Sequence, residues 1–375
     1  MDAPYSWHSG ARCLNPRWPL TPNLLPDELF SSWLIRAALA HGCTLDTLTL
    51  VIRPHARPWH HDFDRGVSEP LLMATSRHVG LSAQALAAST LQPVAKCLHE
   101  SSCLRLNGPW PWFLVLGCRG AGRTGGLQCC PLCIGEAEPH YRVQARLAWH
   151  TSCTVHKVLL IDRCPHCLCA LHPGMLRPTG NLAICHKCLA PLGDAPRMPS
   201  FGSAPIFQEY VDALHGRTAP YGLEEVSFCD WMFIARAMVS LLQVLVRQHS
   251  KRSIEFCRLM NLEGYLDATP SATGLPFEFL SPADRSVLLG FVWAIMQAGP
   301  ERFIESASEV SLPVSVFTLP SGRSAPAVLS RIAQSLTRHS ARSASATFDL
   351  KPSDPSRVLR MWERLQRRIR RDGIR

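Results

Sequence analysis

Between Cys130 and Cys188 the chain carries four pairs of metal-donor side chains, each pair separated by two residues: Cys130 and Cys133, Cys153 and His156, Cys164 and Cys167, Cys185 and Cys188. Each pair sets two donors on one tight turn. Two such turns complete the tetrahedral set of sulfur and nitrogen atoms that a structural zinc ion takes. In chain order, Cys130, Cys133, Cys153 and His156 make a site of three thiolates and one imidazole, and Cys164, Cys167, Cys185 and Cys188 make an all-thiolate site. The expected cofactor is Zn2+, two ions per chain. Disulfides would need an oxidising compartment, and no secretory segment is read. An iron–sulfur cluster fits the imidazole poorly, and a catalytic zinc leaves open a position that four protein donors fill. Cys129, Cys169, His150, His166 and His186 lie beside these ligands; exchange of one ligand per site is the alternative register.

The flanking elements read as helices. Residues 25–42 have Pro26 in a first turn, Asp27 and Glu28 at the positive helix end, and Gly42 as terminator, with Leu29, Trp33, Ala37 and Ala40 along one stripe. Residues 69–78, Gly80, a Ser82 cap and residues 83–88 form a helix-turn-helix-like corner. Only Gln84 on its second helix suits a base edge, so the corner reads as a folding or protein-contact element. Residues 110–116 read as extended, and the glycine-rich 117–126 lacks the lysine of a phosphate loop. Beyond a lead-out at 191–220, helices are expected over 228–248, 252–260, 282–297 and 300–306, and around 327–336. The predicted fold is mainly α around a central tandem zinc-finger module. Its four parts are an N-terminal helical domain (1–126), the zinc-binding module (127–192), a C-terminal all-helical domain (193–319), and a segment (320–375) with a basic amphipathic helix.

Charge narrows the partners. The 375 residues carry a net charge of +10, and 34 of the 39 basic residues are arginine, which grips phosphate bidentately. Candidate contacts in the module are Arg142, Arg146, Lys157, Arg163, Arg177 and Lys187. Residues 351–375 hold nine basic and three acidic residues. Arg364, Arg367, Arg368 and Arg371 there are candidates for the DNA backbone, while Val358, Leu359, Trp362, Leu365 and Ile369 form an apolar face suited to a protein partner. The apolar runs 231–246 and 287–296 fall short of a bilayer span; no membrane partner is expected, and the location expected is cytoplasmic, at the nucleoid.

Several of these segments occur together in one family. Pro26-Asp27-Glu28 leads into Ser32-Trp33-Leu34-Ile35-Arg36, followed by Cys130-Pro131-Leu132-Cys133, Pro139-His140-Tyr141-Arg142, Trp149-His150, Cys153-Thr154-Val155-His156 and Asp162-Arg163-Cys164-Pro165-His166-Cys167. The pattern over residues 25–188 resembles the TniQ family of transposition proteins, related to the target-selecting TnsD proteins. The chain departs from it at His140, inserted into the family's proline-tyrosine, and at Ala145-Arg146, where the family has tryptophan-arginine. The resemblance implies a non-catalytic accessory protein that selects the insertion site of a transposon. It would link double-stranded DNA or an RNA-guided effector complex to an AAA+ ATPase, with the transposase and a second copy of the chain as further expected partners. The alternative is a zinc-containing, sequence-specific transcription regulator. No HExxH, GxSxG or deaminase pattern is present, so no enzyme is expected.

Overall fold

The computed structural model describes residues 17–52, 62–99, 110–116, 118–119, 122–123, 125–214, 216–262, 264–265, 275–317, 324–336 and 362. Met1–Thr337 cluster as one compact unit and Arg338–Arg375 as another. Of the second unit only Trp362 is described. The tail helix and its Arg364, Arg367, Arg368 and Arg371 therefore lie outside the described residues.

Helix α1 (Phe30–Ala40) begins later than its sequence suggests. Asp27 has a φ of +56°, so Pro26 to Glu28 form a turn and not a first helical turn. The chain here pairs with a distant segment: Leu29 N–H donates to Tyr141 O (2.9 Å) and Val143 N–H to Asp27 O (2.7 Å). Backbone groups that a longer helix would have used are satisfied there. Trp33 is fully buried and its indole N–H donates to Pro22 O. α2 (Leu45–Ile52) follows at once.

The helical corner forms where the punctuation residues place it. α3 (Glu69–Val79) is closed by Gly80 in the left-handed region, and α4 (Ala83–Ala88) is capped by Ser82 Oγ, which accepts from Ala85 N–H. α5 (Gln92–Leu98) packs on α4. A two-stranded hairpin, β1 (Cys118–Arg119) with β2 (Gly122–Arg123), precedes the metal region. Gly126 follows it with a φ of +94°, and a Cβ there would lie 2.1 Å from Val115 O. Gly126→Ala is expected to lower unfolding stability by at least about 2 kcal/mol in a denaturant titration, from the unfavourable φ and the clash together.

After the metal region, residues 204–214 form α6 (Ala204–Leu214), inside what reads from sequence as a lead-out. Phe207, Val211 and Leu214 make its buried stripe. Strands β3 (Ala219–Tyr221) and β4 (Glu224–Val226) pair antiparallel around Gly222. α7 (Phe228–Gln248), capped by Ser227, and α8 (Lys251–Leu259) match their expected spans to within a residue. At 21 residues α7 has the length and apolarity of a membrane span, beyond the sequence expectation. Most of its apolar side chains are nonetheless buried, Trp231, Met238 and Leu242 to 1% or less, and Arg236 is paired with Glu278 at 2.9 Å. α9 (Pro282–Glu309) packs on α6 and α7, and its helix is interrupted at Gly299, φ +79°, just before Pro300. α10 (Ala327–Ser335) packs on α9.

One continuous apolar core runs through the segments 1–126, 127–192 and 193–319. Trp112, 2% exposed, sits at its centre, with its ring against Trp149, Phe207 and Phe277. The metal region thus shares its core with the helices on either side of it in the chain.

Candidate metal centre

The first donor set is assembled by two turns and a bridge between them. Cys130 and Cys133 lie on a turn that runs into a single 3-10 turn (Cys133–Gly135), with Ile134 N–H donating to Cys130 O (3.0 Å). Cys153 and His156 lie on a second turn closed by Lys157 N–H to Cys153 O (2.9 Å). The Nδ1 of His156 is 3.6 Å from Cys130 Sγ, 3.2 Å from Cys133 Sγ and 3.7 Å from Cys153 Sγ, and Cys133 and Cys153 Sγ are 3.6 Å apart. All four donor atoms lie within 4.8 Å of one another. Bonds of about 2.3 Å to a tetrahedral ion separate sulfurs by about 3.8 Å, so the set fits one ion without rearrangement. The other ring nitrogen of His156 lies 3.7 Å from Glu136 Oε1, beyond hydrogen-bond distance. The Cys153 thiol is held below its ordinary value, first by its hydrogen bond with Cys130 and then by backbone N–H groups of its own turn.

The second set repeats the architecture with closer internal symmetry. Leu168 N–H donates to Cys164 O and Leu189 N–H to Cys185 O, both at 3.0 Å. Leu168 and Leu189 each adopt positive φ, +57° and +63°, as Lys157 does at +55° in the first set. The four sulfurs of Cys164, Cys167, Cys185 and Cys188 lie within 4.8 Å of one another, with 3.6 Å between Cys164 and Cys188 and 3.7 Å between Cys167 and Cys185. A hydrogen bond from the Cys169 backbone N–H brings the Cys167 thiol down to about 6, the usual effect of such donors on a metal-binding thiolate. Both sets can hold a metal ion.

The neighbouring candidates separate cleanly, with two exceptions. Cys129 N–H and C=O pair with Ile161 as an antiparallel bridge, so its side chain faces away from that of Cys130 and into the apolar core. Burial there pushes its thiol well up. His150 is buried and bonded to Asp212 (2.9 Å), and His166 meets Asp194 (3.1 Å); neither joins a donor set. Cys169 does approach the second set, as His186 does.

The expected surface cations divide. Lys157, Arg163, Arg177 and Lys187 are exposed, Lys157 in an ion pair with Glu209 (2.9 Å), and Arg142 is partly buried. Arg146 is corrected: it is fully buried and has no surface to offer a phosphate. Its guanidinium donates to Asp62, to Asp64 (3.0 Å) and to Leu114 O (3.0 Å). Asp64 in turn accepts from Ser31 N–H and Oγ at the start of α1. The arginine anchors the metal region to the N-terminal helices.

Other side chains at this junction escaped the sequence reading. Glu28 is 1% exposed and accepts from Leu25 N–H, Ser32 Oγ (3.0 Å) and Arg36 Nη1 (2.8 Å), while Tyr141 N–H donates to Ser32 Oγ (3.0 Å). Glu28, Ser32 and Arg36 recur every four residues, and that spacing was the available signal. On the opposite side, Arg285 of α9 donates to Ala148 O and to Gln128 Oε1 (2.7 Å), and Gln128 donates to His150 O (2.6 Å). No periodicity links those residues. Burial lowers the Arg285 guanidinium to about 10, still charged at neutral pH.

The TniQ family model matches residues 19–160. The match takes in α1, its turn at Glu28 and the first donor set, and ends before the second. No curated protein matches the chain.

Proposed function

We propose, from the match of residues 19–160 to the TniQ family, that the chain is a transposition accessory protein and a non-catalytic adaptor for target-site selection. It joins target DNA, directly or through an RNA-guided complex, to the AAA+ ATPase of the transposition machinery. The observation that carries this reading is the junction between the family's two motif segments. Glu28 of the turn before α1 and Ser32 and Arg36 of the helix form one bonded set with Leu25 and Tyr141, which ties α1 to the segment between the two ligand pairs of the first donor set. A rigid platform of this kind positions surfaces and carries out no chemistry. Each four-donor set takes Zn2+ in a structural role, since four protein donors stand together in each. Arg163, Arg177 and Lys187 around the second set supply positive charge for phosphates, joined by Arg364, Arg367, Arg368 and Arg371 of the tail.

Binding of the zinc-loaded protein to random and candidate-target duplexes, measured at several salt concentrations, tests the reading. Tight and sequence-selective binding makes this chain the reader of the site. Weak binding without preference assigns the reading to a partner, to be sought by co-purification with the ATPase. Neutralising Arg163, Arg177 and Lys187 together is expected to weaken binding equally on all sequences, and each lost phosphate contact should flatten the log–log salt dependence by roughly 0.9. An unchanged slope would assign those three cations to a protein contact or to plain solvation.

A further inference from the structure

The second donor set holds more ligands than one ion can use. Cys169 Sγ lies 3.3 Å from Cys167 Sγ and 3.4 Å from Cys185 Sγ, while Cys167 and Cys185 are themselves 3.7 Å apart. Cys169 therefore caps the edge of the sulfur tetrahedron formed by Cys167 and Cys185. It occupies none of the four vertices. An imidazole nitrogen of His186 stands within 4.8 Å of the sulfurs of both Cys169 and Cys185. A sulfur that touches two vertices of a donor tetrahedron is placed where a second tetrahedron would share that edge.

We propose that the second donor set is a dinuclear site for two zinc-like ions, with Cys167 and Cys185 bridging, Cys164 and Cys188 terminal on one ion, and Cys169 and His186 terminal on the other. The inference rests on the reading that the second set binds metal, and extends it. Six donors then give each ion four ligands, two of them shared. Charge favours the arrangement: four thiolates around one divalent ion carry a net −2, whereas five thiolates and a neutral imidazole around two carry −1. Cys169 loses its proton to solvent as the second ion enters, and no electron is transferred. Zinc or another thiophilic divalent ion suits this set, because bridging thiolates and an imidazole are soft or borderline donors. The first set has no such extension: its neighbouring cysteine, Cys129, faces the core.

Native mass spectrometry of the full chain, loaded with zinc and freed of loosely held metal by gel filtration, reads the count directly. Three ions per chain are expected, with two in Cys169→Ser and two in His186→Asn. Cadmium-113 spectra of the cadmium-loaded protein give the same answer independently, as three resonances in the wild type and two in either variant. Two ions in the wild type would overturn the dinuclear site and leave the single-ion reading intact. One ion, or none, would remove that reading as well. A third ion that persists in both variants would also overturn the proposal, since it would be bound elsewhere. Should Cys169→Ser fail to fold, the wild-type count and His186→Asn decide the question between them.

Discussion

Cys130→Ser is expected to unfold much of the larger unit, not only to empty one site. Cys130 is 6% exposed and packs with Cys153 and Leu160 in a small apolar cluster of its own, too small to hold the two turns together without an ion. Structural zinc contributes on the order of 10–16 kcal/mol in peptides that fold around it. That is as large as the net stability of a typical domain, about 5–15 kcal/mol. Thermal unfolding followed by circular dichroism, with zinc content measured on the same sample, checks the expectation. A soluble Cys130→Ser protein that melts where the wild type melts, with the first set empty, would refute a structural role for the ion. Stripping the wild type with a strong chelator should reproduce the loss, and zinc should restore it.

The second large effect is expected at Arg146→Ala. The substitution leaves Asp62 and Asp64 close together with their shared cation gone, and Asp64 is 1% exposed. Breaking a buried ion pair from one side costs about 3–5 kcal/mol, because the remaining charge is left without compensation. The loss should appear in urea unfolding of the zinc-loaded protein. DNA binding by the fraction that remains folded should keep its wild-type salt slope, which distinguishes this residue from Arg163, Arg177 and Lys187. A variant with normal stability and a flattened slope would return Arg146 to the list of phosphate contacts.

The contrast between Arg146 and the metal ligands shows what was legible in the sequence. The ligands announce themselves by spacing alone, because a two-residue interval on a turn is a local requirement of tetrahedral coordination. The long helices were legible for the same reason: Ser227, Ser281 and Gly299 punctuate α7 and α9 within the chain's own neighbourhood. Arg146 looked like a surface cation because its partners lie 82 and 84 residues upstream, and no local pattern reports so distant a carboxylate. α6 had a readable stripe in Phe207, Val211 and Leu214, masked by the prolines and glycines on either side. The start of α1 was misplaced since its first backbone groups pair with residues 141 and 143, a tertiary contact that overrides a helix-favouring Pro-Asp-Glu. Cys129 is set aside in the sequence because it breaks the two-residue spacing to Cys133, and the structure adds the second reason: adjacent residues in extended chain point to opposite faces, so it and Cys130 cannot both reach one ion.

Arg285 on Gln128 and Ala148, and Trp112 on Glu278 and Met232, are contacts across 120 to 166 residues of chain. In a cell this has a consequence in time. Cys188 is the last ligand to be made, and Arg285 follows it 97 residues later. At about 5–20 residues per second, the cysteines wait roughly 5–20 s before the helix that braces them exists. During that interval the nascent thiols are open to oxidation and to the wrong metal. Early capture of zinc on the emerging turns would shield them, so the yield of correctly assembled protein should follow zinc supply during synthesis more closely than zinc supply afterwards.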